Sequence, residues 1–371
     1  MSESGGHVLS FPHMGNYHVP MVTLASMLDT EILVAPRMTR RTLELGTRYS
    51  PEFVCIPFKY NLGNFIESLE SGANLLVQAG GGCRFGFYAE VQEAILRDSG
   101  YEFEMLRLFG SFELRDYHRQ LRRINPKLTF RRALWHYRLA SRQTNALDVV
   151  EDYSRKNCGF EVEDGAFERA FEAFLGKLGR TQSFAEVDTL ERETLEELAA
   201  IPTERPDDAL KVGVVGELYV VMEPFSNFFV EKELAKRGVE VHRHMSVSEM
   251  IAHSGRNGPK HLRKLIEMSG PYLHYHIGAH GTESVGLARQ FMQDGFDGVL
   301  HLKPFGCMPE VNAMTALQRM SRENLFPILF FSYDAQSSET GVRTRLEAFC
   351  DMLRMRRRRD PGLAEAMEVC A

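Results

Sequence analysis

Hydrophobic and polar positions alternate in blocks along the first third of the chain, and these blocks predict strands and helices in turn. Strands are predicted at His7 to Phe11, Glu31 to Ala35, Asn74 to Ala79 and Phe103 to Leu108. Helical spacing covers a stretch reaching about Leu28, then Asn61 to Gly72 and Ala89 to Ser99. The segment between the second strand and Cys55 is predicted to be a polar connection rich in Arg and Thr. This alternation, with a continuously apolar third strand, predicts a parallel sheet covered by helices.

The C-terminal part of the chain repeats this pattern without repeating its sequence. Lys211 opens the segment KVGVVGELYVVMEP, which is typical of a strand that runs into a turn. Further strands are predicted at Val239 to His242, from Val299 and at Pro327 to Phe331. Helices are predicted at Phe228 to Arg237, about Ala252 to Met268, Val285 to Gln293, Ala313 to Ser321 and from about Gly341. The sequence therefore predicts an α/β fold with two doubly wound, flavodoxin-like or Rossmann-like parallel-sheet domains.

Between these two regions the hydrophobic period changes to that of helices. From Leu114 to Ala200, segments such as DGAFERAFEAFLGKLGR carry charged residues on one side and Phe, Leu and Ala on the other. A polar stretch containing Pro202 and Pro206 then separates this block from the second α/β region. We predict an N-terminal domain at 1–113, a helical insertion with its linker at 114–206, and a C-terminal domain at 207–371.

Composition narrows the class of protein. The 371-residue chain is 44% hydrophobic with a net charge of −6, so it has no general attraction for nucleic acid or anionic membranes. The N-terminus lacks a basic segment followed by an apolar one, and no run approaches ~18 consecutive apolar residues, so neither a signal peptide nor a membrane span is expected. We therefore expect a cytoplasmic protein whose six cysteines are reduced.

Three of the cysteines lie in Pro- and Gly-containing turns after predicted strands. Cys307 follows the apolar run in VLHLKPFGCMPE, Cys83 closes a Gly-rich turn, and Cys55 precedes Ile-Pro. Each alone is more often a buried thiol than a ligand, but three thiolates facing one cleft would hold a [4Fe-4S] cluster with one iron open to a non-protein ligand. We expect Gly82 to leave room for such a cluster, and Arg84 and Lys59 to supply positive charge beside it. The other cysteines, Cys158, Cys350 and Cys370, are expected to be structural.

Other polar groups offer alternative or additional chemistry. His274, His276 and His280 have imidazoles suited to zinc, but their spacing lacks the usual paired cysteines. We therefore favour His280 and Glu283 as polar, catalytic groups that line the cleft. The loop after the Lys211 strand contains Glu217, Glu223 and Asn227, which are expected to face the same crevice. The two carboxylates act either as general acid/base groups or as caps of the following helix. The Gly80–Gly82 cluster matches neither common phosphate-binding motif, so a nucleotide site is not favoured.

Four stretches carry a resemblance to a known family. They are VCIPFKYNLGNFIESLESGANLLVQAGGGCRFGFYAEVQ, GELYVVMEPFSNFFVEKELAKRGVEV, GFDGVLHLKPFGCMPE and FFSYDAQSSETGVRTRLEAF. They resemble the 2-hydroxyacyl-CoA dehydratase component family, which includes benzoyl-CoA reductase subunits and double-cubane cluster proteins, and more closely its activase-associated branch.

This resemblance implies a [4Fe-4S] cluster held between two flavodoxin-like domains by Cys55, Cys83 and Cys307. It also implies a role in anaerobic metabolism, an ATP-dependent activator that supplies low-potential electrons, an acyl-CoA or other small substrate, and a homo- or heterodimeric assembly. A second hypothesis is a non-catalytic electron-transfer or scaffold subunit of an activase complex, docking through the basic C-terminal helix around Arg356. A third is a zinc protein that uses the His274, His276 and His280 cluster.

Overall fold

The computed structural model describes residues 6–80, 83–108, 114–253 and 258–359. Contacts within the chain divide it into two compact units. The first unit comprises residues 1–147 with 175–190, and the second comprises 148–174 with 191–371. The predicted helical insertion is therefore divided, with part of it in each of the two units.

The first unit is built on a four-stranded parallel sheet. Its strands are β1 (Val8–Ser10), β2 (Glu31–Ile32), β3 (Leu75–Ala79) and β4 (Glu104–Leu108). Their order across the sheet is β2-β1-β3-β4, and every pair is parallel. The first part of the prediction, a doubly wound parallel α/β unit, is confirmed.

Consecutive residues of β3 face two different cores, as expected for a sheet covered on both sides. Leu75 packs into one apolar cluster with Leu9 and Leu121, whereas Leu76 packs into another with Phe58 and other helical residues. The helices of this part of the chain are α1 (His18–Ala25), α2 (Arg40–Tyr49), α3 (Ile56–Glu70), α4 (Tyr88–Asp98) and α5 (Leu114–Ile124). The chain therefore winds over both faces of the sheet.

Helix α2 corrects the prediction of a polar connection before Cys55. Its start is fixed by a capping box in which the Thr39 side chain accepts from the Thr42 amide and the Thr42 hydroxyl accepts from the Thr39 amide. A Cβ added at Gly46 would lie 1.7 Å from the carbonyl oxygen of Lys59, so α2 and α3 pack backbone to backbone. The segment looks polar because only this narrow strip is buried against α3.

Three long helices follow: α6 (Phe130–Asn157), α7 (Ala166–Leu178) and α8 (Phe184–Ala199). Leu147 and Val150 of α6 are completely buried, as is Leu178 at the end of α7. The boundary between the two units falls within each of α6, α7 and α8. The 3.6-residue period thus predicted helices correctly, whereas their division between units depends on packing that the period does not encode.

The second unit repeats the sheet topology of the first. Its strands are β5 (Leu210–Gly216), β6 (Val239–His242), β7 (Gly298–Pro304) and β8 (Ile328–Tyr333). They are all parallel, in the order β6-β5-β7-β8. The second predicted doubly wound unit is therefore also confirmed.

Helices pack closely against this sheet. They are α9 (Leu218–Met222), α10 (Val230–Ala235), α11 (Val247–Ala252), α12 (Gly258–Ser269), α13 (Gly281–Gln293), α14 (Met308–Asn324) and α15 (Glu339–Arg359). The ring of Phe291 in α13 fills the space above Gly213, and Phe349 in α15 lies against Gly298. Across the described ranges, no helix combines the length and apolar character needed to cross a membrane.

Candidate functional site

Predicted site residues of the second unit lie at the carboxyl ends of β5 and β7. These strands are neighbours, and the direction in which the chain crosses the sheet reverses between them. Such a reversal point is where open α/β sheets bind ligands. Glu217 follows β5 directly, and Cys307 lies three residues beyond Pro304, the last residue of β7.

Cys307 occupies the N-cap position of α14, and Pro309 lies in the first turn of that helix. The Cys307 amide donates to the carbonyl oxygen of Pro304 at 3.2 Å, and its carbonyl accepts from Val311 at 2.8 Å. A helix N-terminus favours negative charge, so this position favours a thiolate. The predicted turn after a buried strand is present, and it delivers the sulfur to the carboxyl edge of the sheet.

Lys303 places a buried cation close to this thiol. Its side chain is only 3% exposed, and its Nζ lies 3.5 Å from the Phe305 carbonyl oxygen. Burial lowers the pKa of Lys303, while the charges of Cys307 and Glu310 act in the opposite direction. Burial in the strand therefore disfavours the charge of the Lys303 ammonium, and its anionic neighbours favour that charge.

A histidine and a glutamate form a completely buried pair beneath this edge. Nε2 of His301, in β7, lies 2.8 Å from Oε2 of Glu310, in the first turn of α14. Their side chains are 0% and 1% exposed. Nδ1 of His301 and Oε1 of Glu310 are buried without a hydrogen-bond partner. One ring nitrogen and one carboxylate oxygen of the pair are therefore buried without a hydrogen bond.

Glu217, His280 and Glu283 form the acid/base part of the site. His280 Nδ1 lies 2.9 Å from Glu283 Oε2, and Glu217 Oε2 accepts from the Val220 amide at 3.0 Å. Burial alone would lower the pKa of His280, but its hydrogen bond to Glu283 and the charges of Glu283, Glu217 and Glu310 raise it. Burial also raises the pKa of Glu217. The charge of Glu217 therefore favours the protonated form of the His280 imidazole, while burial favours the protonated form of the Glu217 carboxyl.

His253 and His261 lie near this group, since the charge of Glu283 acts on His261. The rings of His253 and His261 stack with centroids 3.8 Å apart. Burial raises the pKa of Glu249, and the charge of Glu283 adds to that effect. Glu283 therefore interacts electrostatically with Glu249 as well as with His280.

In the first unit, Cys55 also occupies a helix N-cap position, at the start of α3. The prediction that Cys55 ends a strand is wrong, because the preceding regular element is helix α2 and the chain turns between the two helices. Its Sγ lies 2.6 Å from the hydroxyl oxygen of Tyr88, the first residue of α4. The ring of Tyr88 packs edge-on against Phe58 with centroids 5.0 Å apart. Both aromatic rings are buried, so the hydroxyl is held firmly beside the sulfur.

The remaining predicted cofactor residues of this unit lie near the end of β3 and on α3. Cys83 is exposed and precedes a 3-10 turn, Arg84–Phe87, whose Gly86 amide donates to the Cys83 carbonyl at 3.0 Å. Gly82 lies outside the described residues, as does the side chain of Arg84. Lys59 is buried one helical turn after Cys55. The spacing of four residues places Lys59 and Cys55 on the same side of α3.

Cys55 and Cys307 share one local structure. Each is the N-cap of a long helix, with extended backbone at φ −66° and −76°, and each is followed two residues later by proline. Proline in the first turn is compatible with a helix because the amide it lacks has no partner there. Both units therefore present a thiol in the same Cys-x-Pro setting at the start of a helix.

The other predicted polar residues have different outcomes. Glu223 is buried and accepts from the Phe225 amide at 3.2 Å, and Asn227 accepts from Val230 at 3.1 Å, so both act as local caps. His276 contacts the Thr282 hydroxyl at 3.1 Å, whereas His280 pairs with Glu283. Within either unit, the described residues contain no group of three or more His, Cys, Asp or Glu side chains arranged to hold a metal ion.

Two further cysteines show the environment expected of structural thiols. Burial raises the pKa of Cys158 to about 11, and it also raises the pKa of Cys350. Both thiols are therefore neutral and poorly reactive at physiological pH. They serve as internal references for Cys55 and Cys307, which lie at helix N-termini.

Sequence reasoning missed several residues of these sites. Lys303, His301 and Glu310 lie in or next to an apolar strand pattern, and Tyr88 belongs to an amphipathic helix. His13 is buried after β1, where its ring stacks on His18 at 5.0 Å and its amide donates to Asn64. A polar residue inside an otherwise apolar strand, as His301 and Lys303 are in GVLHLKP, is the signal that could have identified two of them.

No protein-family model matches this sequence, and no curated protein matches it either.

Proposed function

We propose that this chain binds a [4Fe-4S] cluster through Cys55, Cys83 and Cys307 and uses electrons from an ATP-dependent activator for a one-electron reduction or dehydration of an acyl-CoA or other small substrate. The observation that carries the proposal is the repeated Cys-x-Pro helix start, which presents Cys55 in one unit and Cys307 in the other in the same setting. A helix N-terminus stabilises a thiolate, which is the form that binds iron.

The donor set fits this cofactor chemically. Thiolates are the ligands that iron-sulfur clusters require, and three of them leave one iron open to a non-protein ligand. When bound, the cluster would supply low-potential electron transfer and a site at which a carbonyl oxygen can bind. Gly82, Arg84 and Lys59 are proposed to accommodate it and to balance the charge of its thiolates.

The residues of the second unit would handle protons and charge. His280, whose pKa is raised by Glu283, and Glu217, whose pKa is raised by burial, are the proposed proton donors. Lys303 provides a cation near Cys307 that would stabilise negative charge developing at the substrate oxygen. Glu223 is assigned a supporting role, because its carboxylate accepts a backbone hydrogen bond. Departure of a hydroxyl group requires a proton, and His280 or Glu217 would deliver it.

The runner-up is a non-catalytic electron-transfer or scaffold subunit of an activase complex. The basic residues of α15 favour this version as a docking surface. Arg358 and Arg359 are exposed at the end of that helix, although Arg357 is engaged with Asp297 at 2.7 Å. The two versions share the cluster and differ in whether substrate is converted.

The test is an anaerobic assay with purified activator, ATP and a 2-hydroxyacyl-CoA, followed by chromatography of the CoA esters. Formation of the enoyl-CoA with loss of water, dependent on both activator and ATP, supports the catalytic version. His280→Gln should lower the rate by about 10²–10⁴-fold, the usual contribution of a general acid. Reduction of the protein by the activator without conversion of any acyl-CoA would contradict that version and favour the electron-transfer subunit.

A further inference from the structure

We propose that Tyr88 is a positioning residue whose hydroxyl donates a hydrogen bond to the Cys55 sulfur and thereby raises the reduction potential of the cluster that this thiolate binds. The inference rests on the proposed function, because it assigns a residue to the cluster site. It goes further by naming a side chain outside the ligand set that controls the energy of the bound electron.

The geometry of the contact supports this assignment. Sγ of Cys55 lies 2.6 Å from Oη of Tyr88, and the two residues belong to different helices, α3 and α4. A thiolate has no proton to give, so the phenol must be the donor once Cys55 binds iron. The contact therefore has a defined direction in the cluster-bound protein.

The surroundings of Tyr88 hold the hydroxyl in place. Its side chain is buried, and it belongs to the apolar cluster that contains Phe58, Leu62 and Leu76. The edge-on contact with Phe58 fixes the plane of the ring, and Phe58 lies on α3 three residues after Cys55. The same helix thus carries both the sulfur and the ring that orients its hydrogen-bond donor.

A hydrogen bond to a ligand sulfur changes with the redox state. Adding an electron makes the thiolate sulfurs more negative, which strengthens a bond donated to them and favours the reduced state. Removing the donor should therefore make the midpoint potential more negative. A change of about tenfold in the ratio of reduced to oxidised protein corresponds to about 59 mV for one electron.

The experiment is a mediated potentiometric titration of anaerobically reconstituted protein, monitored by electron paramagnetic resonance. It compares wild type with Tyr88→Phe and with Tyr101→Phe. Tyr101 packs against the same apolar cluster, so its variant also removes one phenol hydroxyl from this region. We expect Tyr88→Phe to keep its iron and to have a more negative potential, and Tyr101→Phe to titrate like wild type.

The possible results separate this inference from the proposed function. Equal potentials for wild type and Tyr88→Phe, with iron retained in both, would overturn the role of Tyr88 and leave cluster binding intact. Wild-type protein that takes up no iron would overturn the proposed function and this inference together. If Tyr88→Phe does not hold iron, a fluorinated tyrosine at position 88 keeps the hydroxyl and makes it a stronger donor. The potential must then become more positive, and an unchanged value contradicts the inference.

Discussion

Nε2 of His301 lies 2.8 Å from Oε2 of Glu310, and neither side chain reaches solvent. The pair joins the middle of β7 to the first turn of α14, the helix that begins at Cys307. It therefore fixes the start of that helix against the strand and supports the position of the Cys307 sulfur. Nδ1 of His301 and Oε1 of Glu310 have no hydrogen-bond partner. Each side chain therefore depends on this one contact with the other.

Removing one member of this pair should destabilise the protein strongly. We expect Glu310→Ala to lower the free energy of unfolding by about 3 kcal/mol, because it leaves the His301 imidazole buried without a partner. Glu323→Ala is the matched control, since Glu323 lies on the same helix in an exposed pair with Arg319. That variant should change stability by less than about 0.5 kcal/mol. Urea unfolding followed by circular dichroism measures both, and equal values would show that the buried pair contributes nothing special.

Gly216 is expected to tolerate no side chain. Its φ of +147° disfavours L-residues, and a Cβ there would lie 1.9 Å from the carbonyl oxygen of Leu302 in the neighbouring strand. Gly216→Ala should therefore cost about 2–4 kcal/mol of stability, because backbone must move. It should also displace Glu217, whose amide donates to that same Leu302 carbonyl at 2.9 Å.

Gly176 offers a comparison in which alanine is favourable. It lies within α7, and nothing lies within 4 Å of the position its Cβ would occupy. Gly176→Ala should raise the free energy of unfolding by up to about 1 kcal/mol, owing to the better helix propensity of alanine. Thermal melts of the two variants should move in opposite directions. A Gly216→Ala protein as stable as wild type would contradict the close packing at this strand end.

The raised pKa of His280 predicts a pH-dependent contribution to stability. Its pKa in the folded protein lies above the ordinary value of 6.5, chiefly because Glu283 outweighs the effect of burial. The contribution is therefore fully present below 6.5 and is lost as the pH rises through the folded-state value. The difference in unfolding free energy between wild type and His280→Gln should be larger at about pH 6 than at about pH 9.

His274→Gln provides the control for that measurement, because His274 lies in the same loop and is exposed. A His280→Gln difference that grows with pH would show that Glu283 does not hold His280 in its charged form.

Unlike the protonation of His280, which stabilises the folded protein, the ionisation of Glu217 should destabilise it. Burial raises its pKa above the ordinary 4.5, so the wild-type protein loses stability as the pH rises through and above that value. Glu217→Gln cannot ionise and keeps an oxygen for the Val220 amide, so we expect it to be more stable than wild type at neutral pH. The gain should disappear near pH 4, where wild-type Glu217 is protonated as well. Chemical unfolding at both pH values checks this, and a variant less stable than wild type at neutral pH would contradict it.

Much of this fold was predictable because its strands are short apolar runs that alternate with amphipathic segments. Val239 to His242 was predicted at its observed bounds, and the turn that carries Cys307 follows β7 as expected. Helix α2 was not predictable in this way, since its contact with α3 depends on two glycines, Gly46 in α2 and Gly63 in α3, and most of its exposed positions are polar. The assignment of helices α6 to α8 to two units likewise depends on contacts distant in sequence.

The polar site residues were predictable where they lie in a turn that interrupts the hydrophobic pattern. Cys307, His280 and Glu283 lie at element boundaries, where Pro and Gly signal a break in the pattern. Lys303 sits inside β7, where periodicity assigns every position to the core, and Tyr88 begins an ordinary amphipathic helix. A polar residue within an apolar strand marks the position of Lys303, but its role, like that of Tyr88, arises from neighbours that fold against it.

The central claim is that Cys55, Cys83 and Cys307 bind an iron-sulfur cluster. It is tested by measuring iron and acid-labile sulfide in anaerobically reconstituted wild type, Cys307→Ala and Cys350→Ala. Cys350 is buried in α15 with a raised pKa, so its variant controls for the loss of a thiol. We predict about four irons and four sulfides per chain in wild type and Cys350→Ala, and loss of most of both in Cys307→Ala. Wild type without iron, or Cys307→Ala with its full complement, would contradict the account.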